Sequence, residues 1–346
     1  MKDVETDRHA PRVRAPRWRE GEGVNSRTGR PDAQGLRRAG FLFASRGRRS
    51  WSSHKLLSWL LLVALGIIWG INFLFIKMAV AVVPPLEVVW LRTLFGAVPI
   101  AVFALFRGYF ARRDWRFTHH FAAMAMLANI GPYVLFVVGT ANLPSGIAGV
   151  ISGAIPFVTA TIVAIALPAE RMTRAKTFGL GIGLGGIMLV APLHGAAVPT
   201  AGGSPLIGVG AMLAGSVSYA LALVYARRFL APIKLTPVKL AAYQMILAVV
   251  VLAPVAAPGH WSALFAHNDA LLALVFGLGL VGTGIAFVIY YYLIQTLGAM
   301  KAASVYYIPP VVALVMGRVF AGEMISLVQA LGALLVMAGI FYANRD

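Results

Sequence analysis

Cysteine is absent from this chain, which excludes disulfides, thiolate catalysis, zinc–thiolate sites and iron–sulfur clusters. Charge is scarce as well: 12% of the 346 residues are charged, against about 25% in a soluble domain. The seven histidines do not compensate. His119 and His120 open a helix, His194, His260 and His267 fall in connections, and His9 and His54 lie in the N-terminal tail. No apolar run carries the His and carboxylate spacing of a metal site or an intramembrane hydrolase, and no Gly-Lys-Ser/Thr phosphate loop is present. The sequence therefore points away from an enzyme, a cofactor or a metal, and away from ATP-driven transport by this chain alone.

What is present is apolar. Hydrophobic residues make up 59% of the chain. Charge-free runs of roughly 20 residues, the length of a helix crossing a hydrocarbon core of about 30 Å, follow one another from Leu56 to Tyr342. Breaks at Gly, Pro and charge clusters predict about ten helices: 56–80, 86–106, 119–140, 144–168 and 174–193, then 206–229, 238–257, 271–296, 302–320 and 326–343. Arg107, Arg112, Arg113 and Arg116 follow the second helix, Arg171, Arg174 and Lys176 the fourth, Arg227, Arg228, Lys234 and Lys239 the sixth, and Lys301 the eighth. The alternate connections carry neither Lys nor Arg, so both termini are expected in the cytoplasm. Lys77 and Arg318, at outer ends, are expected to snorkel.

The second half repeats the first at one offset. Adding 153 carries Gly131, Pro156, Glu170, Thr173, Gly179 and Gly186 onto Gly284, Pro309, Glu323, Ser326, Gly332 and Gly339, with Thr to Ser the one change. A repeat of this length means two copies of one packed unit. Five helices is an odd number, so the two halves are expected to run in opposite directions, with a binding site at their interface near the midplane. The fold class expected is an all-α integral membrane protein of two inverted five-helix repeats. Its parts are a tail at 1–55, a first repeat at 56–193, an outer linker at 194–205 and a second repeat at 206–343.

The tail belongs to another regime. It is dense in Arg, Pro and Gly without apolar period, which predicts disorder, and it lacks the apolar core of a cleavable signal peptide. The net charge of +18 is split between this tail and helix-flanking loops, a distribution that suits anionic lipid headgroups better than nucleic acid. An over-extended reading frame, with its start near Leu56, is a further account of the tail.

Trp69-Gly70-Ile71-Asn72-Phe73, Arg92, and the runs from Pro156 through Glu170 to Gly186 and from Pro309 through Glu323 to Gly339 resemble the drug/metabolite transporter superfamily, specifically its two-domain EamA-type permeases. The likeness covers residues 56–343. It implies ten helices in two inverted halves around a central cavity that carries amino acids, nucleosides, vitamins or other metabolites, often outward. The halves are chemically unequal here, since Ser218-Tyr219 stands against Trp69-Gly70 and Gln244 against Arg92.

Helical spacing nominates the lining of a cavity. Trp69, Asn72 and Phe73 share a face, as do Asn129 and Tyr133, and Ser152, Pro156 and Thr159; in the second half Thr283, Phe287, Tyr290 and Tyr291 share one, and Tyr306 with Pro310 another. With Arg92, Tyr219 and Gln244 these make an aromatic pocket edged by amides and hydroxyls, suited to a partly apolar metabolite. Tyr residues near helix ends are equally expected in an interfacial belt. Arg92 lies roughly 10 Å deep, where it either pairs with another helix or draws an anionic substrate group.

Pro156 and Pro309 are expected to interrupt their helices. Glu170 and Glu323 each stand about 21 Å beyond them along a helix and three residues before Thr173 or Ser326. That spacing favours capping of the next helix over gating or proton coupling. Gly179, Gly181, Gly183, Gly185 and Gly186, echoed by Gly332 and Gly339, predict close helix packing or a homodimer contact. The function expected is secondary transport of small metabolites across the inner (plasma) membrane, outward, by rocking of the two halves. A flippase for a lipid or lipid-linked sugar, or an importer, is the alternative.

Overall fold

The computed structural model describes residues 33–166, 173–191, 204–230, 233, 235–256, 261–297 and 299–343. The chain divides into two compact units, residues 1–57 and 58–346, and the packed helices belong to the second. Every described element is helical. Lipid supplies no hydrogen-bond partner for an exposed strand, so long apolar runs satisfy their backbone groups internally.

Among the described residues seven helices are long and apolar enough to cross a membrane: the part Leu56–Val80 of α1 (Ala33–Val80), α2 (Pro85–Phe106), α3 (Arg112–Ala141), α4 (Ser145–Ala166), α6 (Pro205–Leu230), α7 (Val238–Ala256) and α8 (Asn268–Ile294). Shorter helices are α5 (Arg174–Val190), α9 (Ser304–Phe320) and α10 (Leu327–Ala343). Large apolar side chains on their outer faces, among them Phe106, Ile165, Leu206, Phe276 and Leu334, are exposed, as expected of a surface that meets lipid.

The tail departs from expectation in part. Backbone over residues 33–55 is helical and continues into the first apolar run, where composition alone predicts disorder. Ala33, Leu36, Ala39, Leu42 and Ala44 are good helix formers, and no Pro interrupts them. Residues 1–32 lie outside the described residues, as do Glu170 and most of the linker at 194–205.

Both prolines break their helices where expected. In α4 a turn at Gly153–Ala154 separates Ser145–Ser152 from Ile155–Ala166, with Pro156 in the first turn of the second part. In α9 a 3-10 turn over Ala303–Tyr307 precedes Ile308–Phe320, with Pro309 and Pro310 in its first turn. Proline lacks an N–H, so it is tolerated where that group has no helical partner. Two π-helical stretches also sit at related places, Ala125–Ile130 in α3 and Ala273–Ile285 in α8. Gly131 closes the first and Gly284 lies at the end of the second.

Glycine faces join the two repeats. A Cβ added at Gly186 would lie 2.6 Å from the carbonyl oxygen of Gly332, and one at Gly339 would lie 2.6 Å from that of Gly179. Helices α5 and α10 therefore pack antiparallel and backbone to backbone. Gly181 and Gly185 are not part of this face, since nothing lies within 4 Å of either added Cβ; they point outward because two residues turn a helix by about 200°. The packing glycines of α5 thus meet α10 within the chain. Gly146, Gly149 and Gly153 of α4 likewise meet Leu314, Ala313 and Pro310 of α9, again antiparallel.

Candidate functional site

Helices from both repeats bring a polar and aromatic cluster together inside the protein. Arg92, on α2, is 5% exposed. Its Nη2 donates to Thr283 Oγ1 at 3.3 Å, and its guanidinium carbon stands 4.1 Å from the centroid of the Tyr133 ring. Glycine permits this approach: Gly96, one turn after Arg92, faces Thr283, and Gly279 faces the Arg92 carbonyl. The partners of Arg92 are thus a hydroxyl and a ring from α8 and α3, not Glu87 of its own helix. Its Nε has no partner.

The π-helical stretch of α8 shapes this corner. Thr283 Oγ1 donates back to the Leu278 carbonyl, five residues earlier, at 2.7 Å. Next to it the Gly282 carbonyl accepts from Asn72 Nδ2 at 3.4 Å, which brings α1 to the same place. A side chain on Gly282 would collide with the Asn72 amide. Asn72 Oδ1 is left unpaired, and so are both amide atoms of Asn129, which is fully buried in the π-helical stretch of α3. Gln244 Oε1, buried on α7, is also unpaired. Buried polar atoms normally find partners, and π-helical stretches recur at functional sites, so this corner is the candidate site.

Aromatic rings form the other side. Trp69 stacks on Tyr306 and tilts against Tyr290, each with 5.5 Å between centroids. Tyr219 packs on Phe136 and lies close enough to Arg92, Tyr133 and Tyr291 to interact with them electrostatically. Tyr219, Tyr290, Tyr291 and Tyr306 are each partly buried.

Two nominated residues sit elsewhere. Phe73 belongs to the apolar core between α4 and α9, where it meets Gly149. Ser152 is buried with its hydroxyl committed to the Gly149 carbonyl at 2.6 Å. Pro156 and Pro309 act as helix breakers beside that core.

Glu323 differs most from expectation. Its carboxylate does not cap the helix that follows it. Ser326 does that, with Gln329 N donating to Ser326 Oγ at 3.2 Å and Ser326 N donating to Gln329 Oε1 at 3.0 Å. Glu323 instead accepts from Ser145 N, from Ser145 Oγ at 2.7 Å and from Gly146 N at 2.8 Å, capping α4 of the other repeat. Gly317 leaves the room it needs. In the equivalent position of the first repeat, Thr173 caps α5 through Lys176 N at 3.2 Å.

Sequence reasoning gave Lys77 too small a part. Its Nζ donates to the carbonyls of Thr140, Ala141 and Leu143 at 3.3, 3.2 and 2.9 Å, capping the C-terminus of α3 and not snorkelling. Asp114 was missed altogether. Its Oδ2 pairs with Lys239 Nζ at 2.6 Å and accepts from Tyr243 at 3.0 Å. A lone acid among Arg112, Arg113 and Arg116 was the available signal.

Comparison with known proteins agrees with this architecture. The model of the EamA-like transporter family matches residues 56–191 and again 206–345. The "Uncharacterized inner membrane transporter YedA" of Escherichia coli K12 is 31% identical over 282 residues, covering 79% of this chain and 86% of that protein. The "Uncharacterized transporter YoaV" of Bacillus subtilis is 26% identical, covering 81% and 94%. A "Probable terminal-alkyne amino-acid exporter" of Streptantibioticus cattleyicolor is 29% identical, covering 61% and 68%. A crystal structure of a 21% identical protein superposes with a TM-score of 0.57, covering 83% of this chain and 98% of that one; at this identity the likeness concerns fold alone.

Proposed function

The chain belongs to the EamA-like transporter family, and on that premise we propose that it is a secondary transporter that moves small metabolites out across the inner membrane by alternating access. The observation that carries this reading is the buried cluster around Arg92. It takes Trp69, Asn72, Arg92, Asn129 and Tyr133 from one repeat and Tyr219, Gln244, Thr283, Tyr290, Tyr291 and Tyr306 from the other, and it leaves polar atoms unpaired. Rings edged by amides and hydroxyls suit a small, partly apolar molecule.

Ten helices in two inverted halves, 56–193 and 206–343, make the machine. Three pairs of helices related by the repeat pack antiparallel, which supports inversion. They are α5 with α10, α4 with α9, and α2 with α7, where Trp90 Nε1 donates to the Val249 carbonyl at 3.1 Å and Ala104 packs near Ala241. Exchanging the conformations of two such halves moves the opening from one side of the membrane to the other. The basic loops favour an orientation with both termini in the cytoplasm and those loops against anionic headgroups. Export is favoured by the relative named an exporter, whose amino-acid cargo is one of the substrate classes in view.

The test is an untargeted comparison of metabolites inside and outside cells making the intact chain or an Arg92→Ala, Asn72→Ala double variant at matched abundance. A compound enriched outside only with the intact chain supports export through this pocket. Enrichment inside would reverse the direction, and equal profiles would remove the pocket from the mechanism.

A further inference from the structure

The transport reading leaves open what the pocket recognises, and the inference here rests on that reading. Arg92 is the starting point. An arginine keeps its charge wherever it is placed, and a buried cation without a counter-charge is costly. The described neighbours of Arg92 supply only a Thr oxygen and the face of a Tyr ring. The ion pair formed among the described residues joins Lys239 to Asp114, near another helix end. Among the described residues the guanidinium thus has partial solvation and no anion: one N–H, on Nη2, is in a hydrogen bond, and the buried Nε–H is in none.

Thr283 fixes how the guanidinium is held. A Thr hydroxyl has one proton, and here it goes to the Leu278 carbonyl at 2.7 Å. A carbonyl five residues back is within reach because this part of α8 is π-helical. With its proton spent, Thr283 can only accept, and it accepts from Arg92 Nη2. Thr283 therefore holds one edge of the guanidinium while the ring of Tyr133 covers a face. Asn72, whose Nδ2 donates to the Gly282 carbonyl beside Thr283, leaves its Oδ1 as an acceptor without a partner among the described residues, able to receive a donor.

We propose that the pocket selects substrates carrying a carboxylate, which binds the free edge of Arg92 at Nε, and that Thr283 is the positioning residue that presents this edge. Cations that lack an acid group, such as simple amines, are excluded by the uncompensated guanidinium. An amine on the same molecule as the carboxylate is accepted, with the unpaired Asn72 Oδ1 as the acceptor that receives it.

Three probes of one size separate these statements: 3-phenylpropanoate, L-phenylalanine and 2-phenylethylamine, with binding read as thermal stabilisation of the purified full chain in detergent. The two carboxylates are expected to bind and the amine is not. Thr283→Val keeps the shape and removes the acceptor, and is expected to weaken carboxylate binding about tenfold, the equivalent of one charge-assisted hydrogen bond. Thr283→Ser restores the acceptor and is expected to restore affinity. A structural role alone would lower the unliganded melting temperature of Thr283→Val without changing its affinity. Binding of the amine as tight as that of the acids, or of none of the three, overturns the carboxylate subsite. Unchanged affinity in Thr283→Val overturns the positioning role. Carboxylate binding with no movement of the bound probe across proteoliposomes would instead overturn the transport reading and leave the subsite standing.

Discussion

Glu323, in the second repeat, holds the first turn of a helix in the first repeat: Ser145 Oγ donates to its carboxylate at 2.7 Å and Gly146 N does so at 2.8 Å. These amides are among the four that open any helix without a partner, and a carboxylate there also meets the positive end of the helix dipole. Glu323→Ala is expected to destabilise the purified protein by about 1–2 kcal/mol. Glu323→Gln, which keeps an acceptor and loses the charge, should lose less. Thermal unfolding in detergent checks both, and equal stability of Glu323→Ala and the parent would show that water replaces the cap.

Lys77 works on the same connection from the other side. It donates to the carbonyls of Thr140, Ala141 and Leu143, so the short link from α3 to α4 has its last carbonyls on an ammonium and its next amides on a carboxylate. Lys77→Met should destabilise by about 0.5–1 kcal/mol. Combined with Glu323→Ala, the loss should differ from the sum of the two by roughly 0.5 kcal/mol or more, because both act on one element. Strict additivity in a double-mutant cycle would make the two caps independent.

The glycines of α5 separate into two kinds by what a Cβ would meet. Gly186→Leu drives a side chain into the backbone of α10 at Gly332 and should abolish accumulation of folded protein. Gly181→Leu points into open space and should leave abundance within about twofold, consistent with the small effects of surface substitutions. Fluorescence-detected size-exclusion chromatography of tagged variants reads both at once. Loss in both variants would mean that the outward face of α5 is packed as well.

Long charge-free runs, and breaks at Gly, Pro and Arg, made the helices legible, because each run must satisfy its own backbone. The offset of 153 singled out Gly179, Gly186, Gly332 and Gly339 as residues of close packing, but not that the first pair meets the second. What spacing along one helix cannot give is the partner on another. Glu323 looked like a cap for Ser326 because the two are three residues apart, whereas the helix it caps begins at Ser145, far away in sequence. Arg92 was legible as a buried charge, but its dependence on Thr283 was not, since a π-helical stretch has no clear sequence signal. Phe73 and Ser152 share faces with pocket residues and yet turn into the core between α4 and α9. Helical residues bordering a cavity and residues bordering a neighbour have the same periodicity.

Asp114 ties the entry of α3 to α7. Its carboxylate pairs with Lys239 at 2.6 Å and accepts from Tyr243 at 3.0 Å, while Tyr243 stacks on Phe121 with 4.4 Å between centroids. The two helices belong to different repeats and meet at the face rich in Arg, the cytoplasmic face in the proposed orientation. Rocking the halves apart on that side has to break this pair. Asp114→Asn removes the charge and leaves a partly buried ammonium without its counter-ion, which disfavours the closed arrangement more than the open one. The absence of cysteine makes the consequence measurable, because a single introduced thiol has no background. With Tyr219→Cys as reporter, a membrane-impermeant maleimide applied to inside-out vesicles should label the Asp114→Asn protein several-fold faster than its parent, a population shift of about 1 kcal/mol. Labelling that speeds up from the opposite face would invert the proposed orientation. Unchanged labelling from both faces would make the pair a fastening of the loop and no part of the gate.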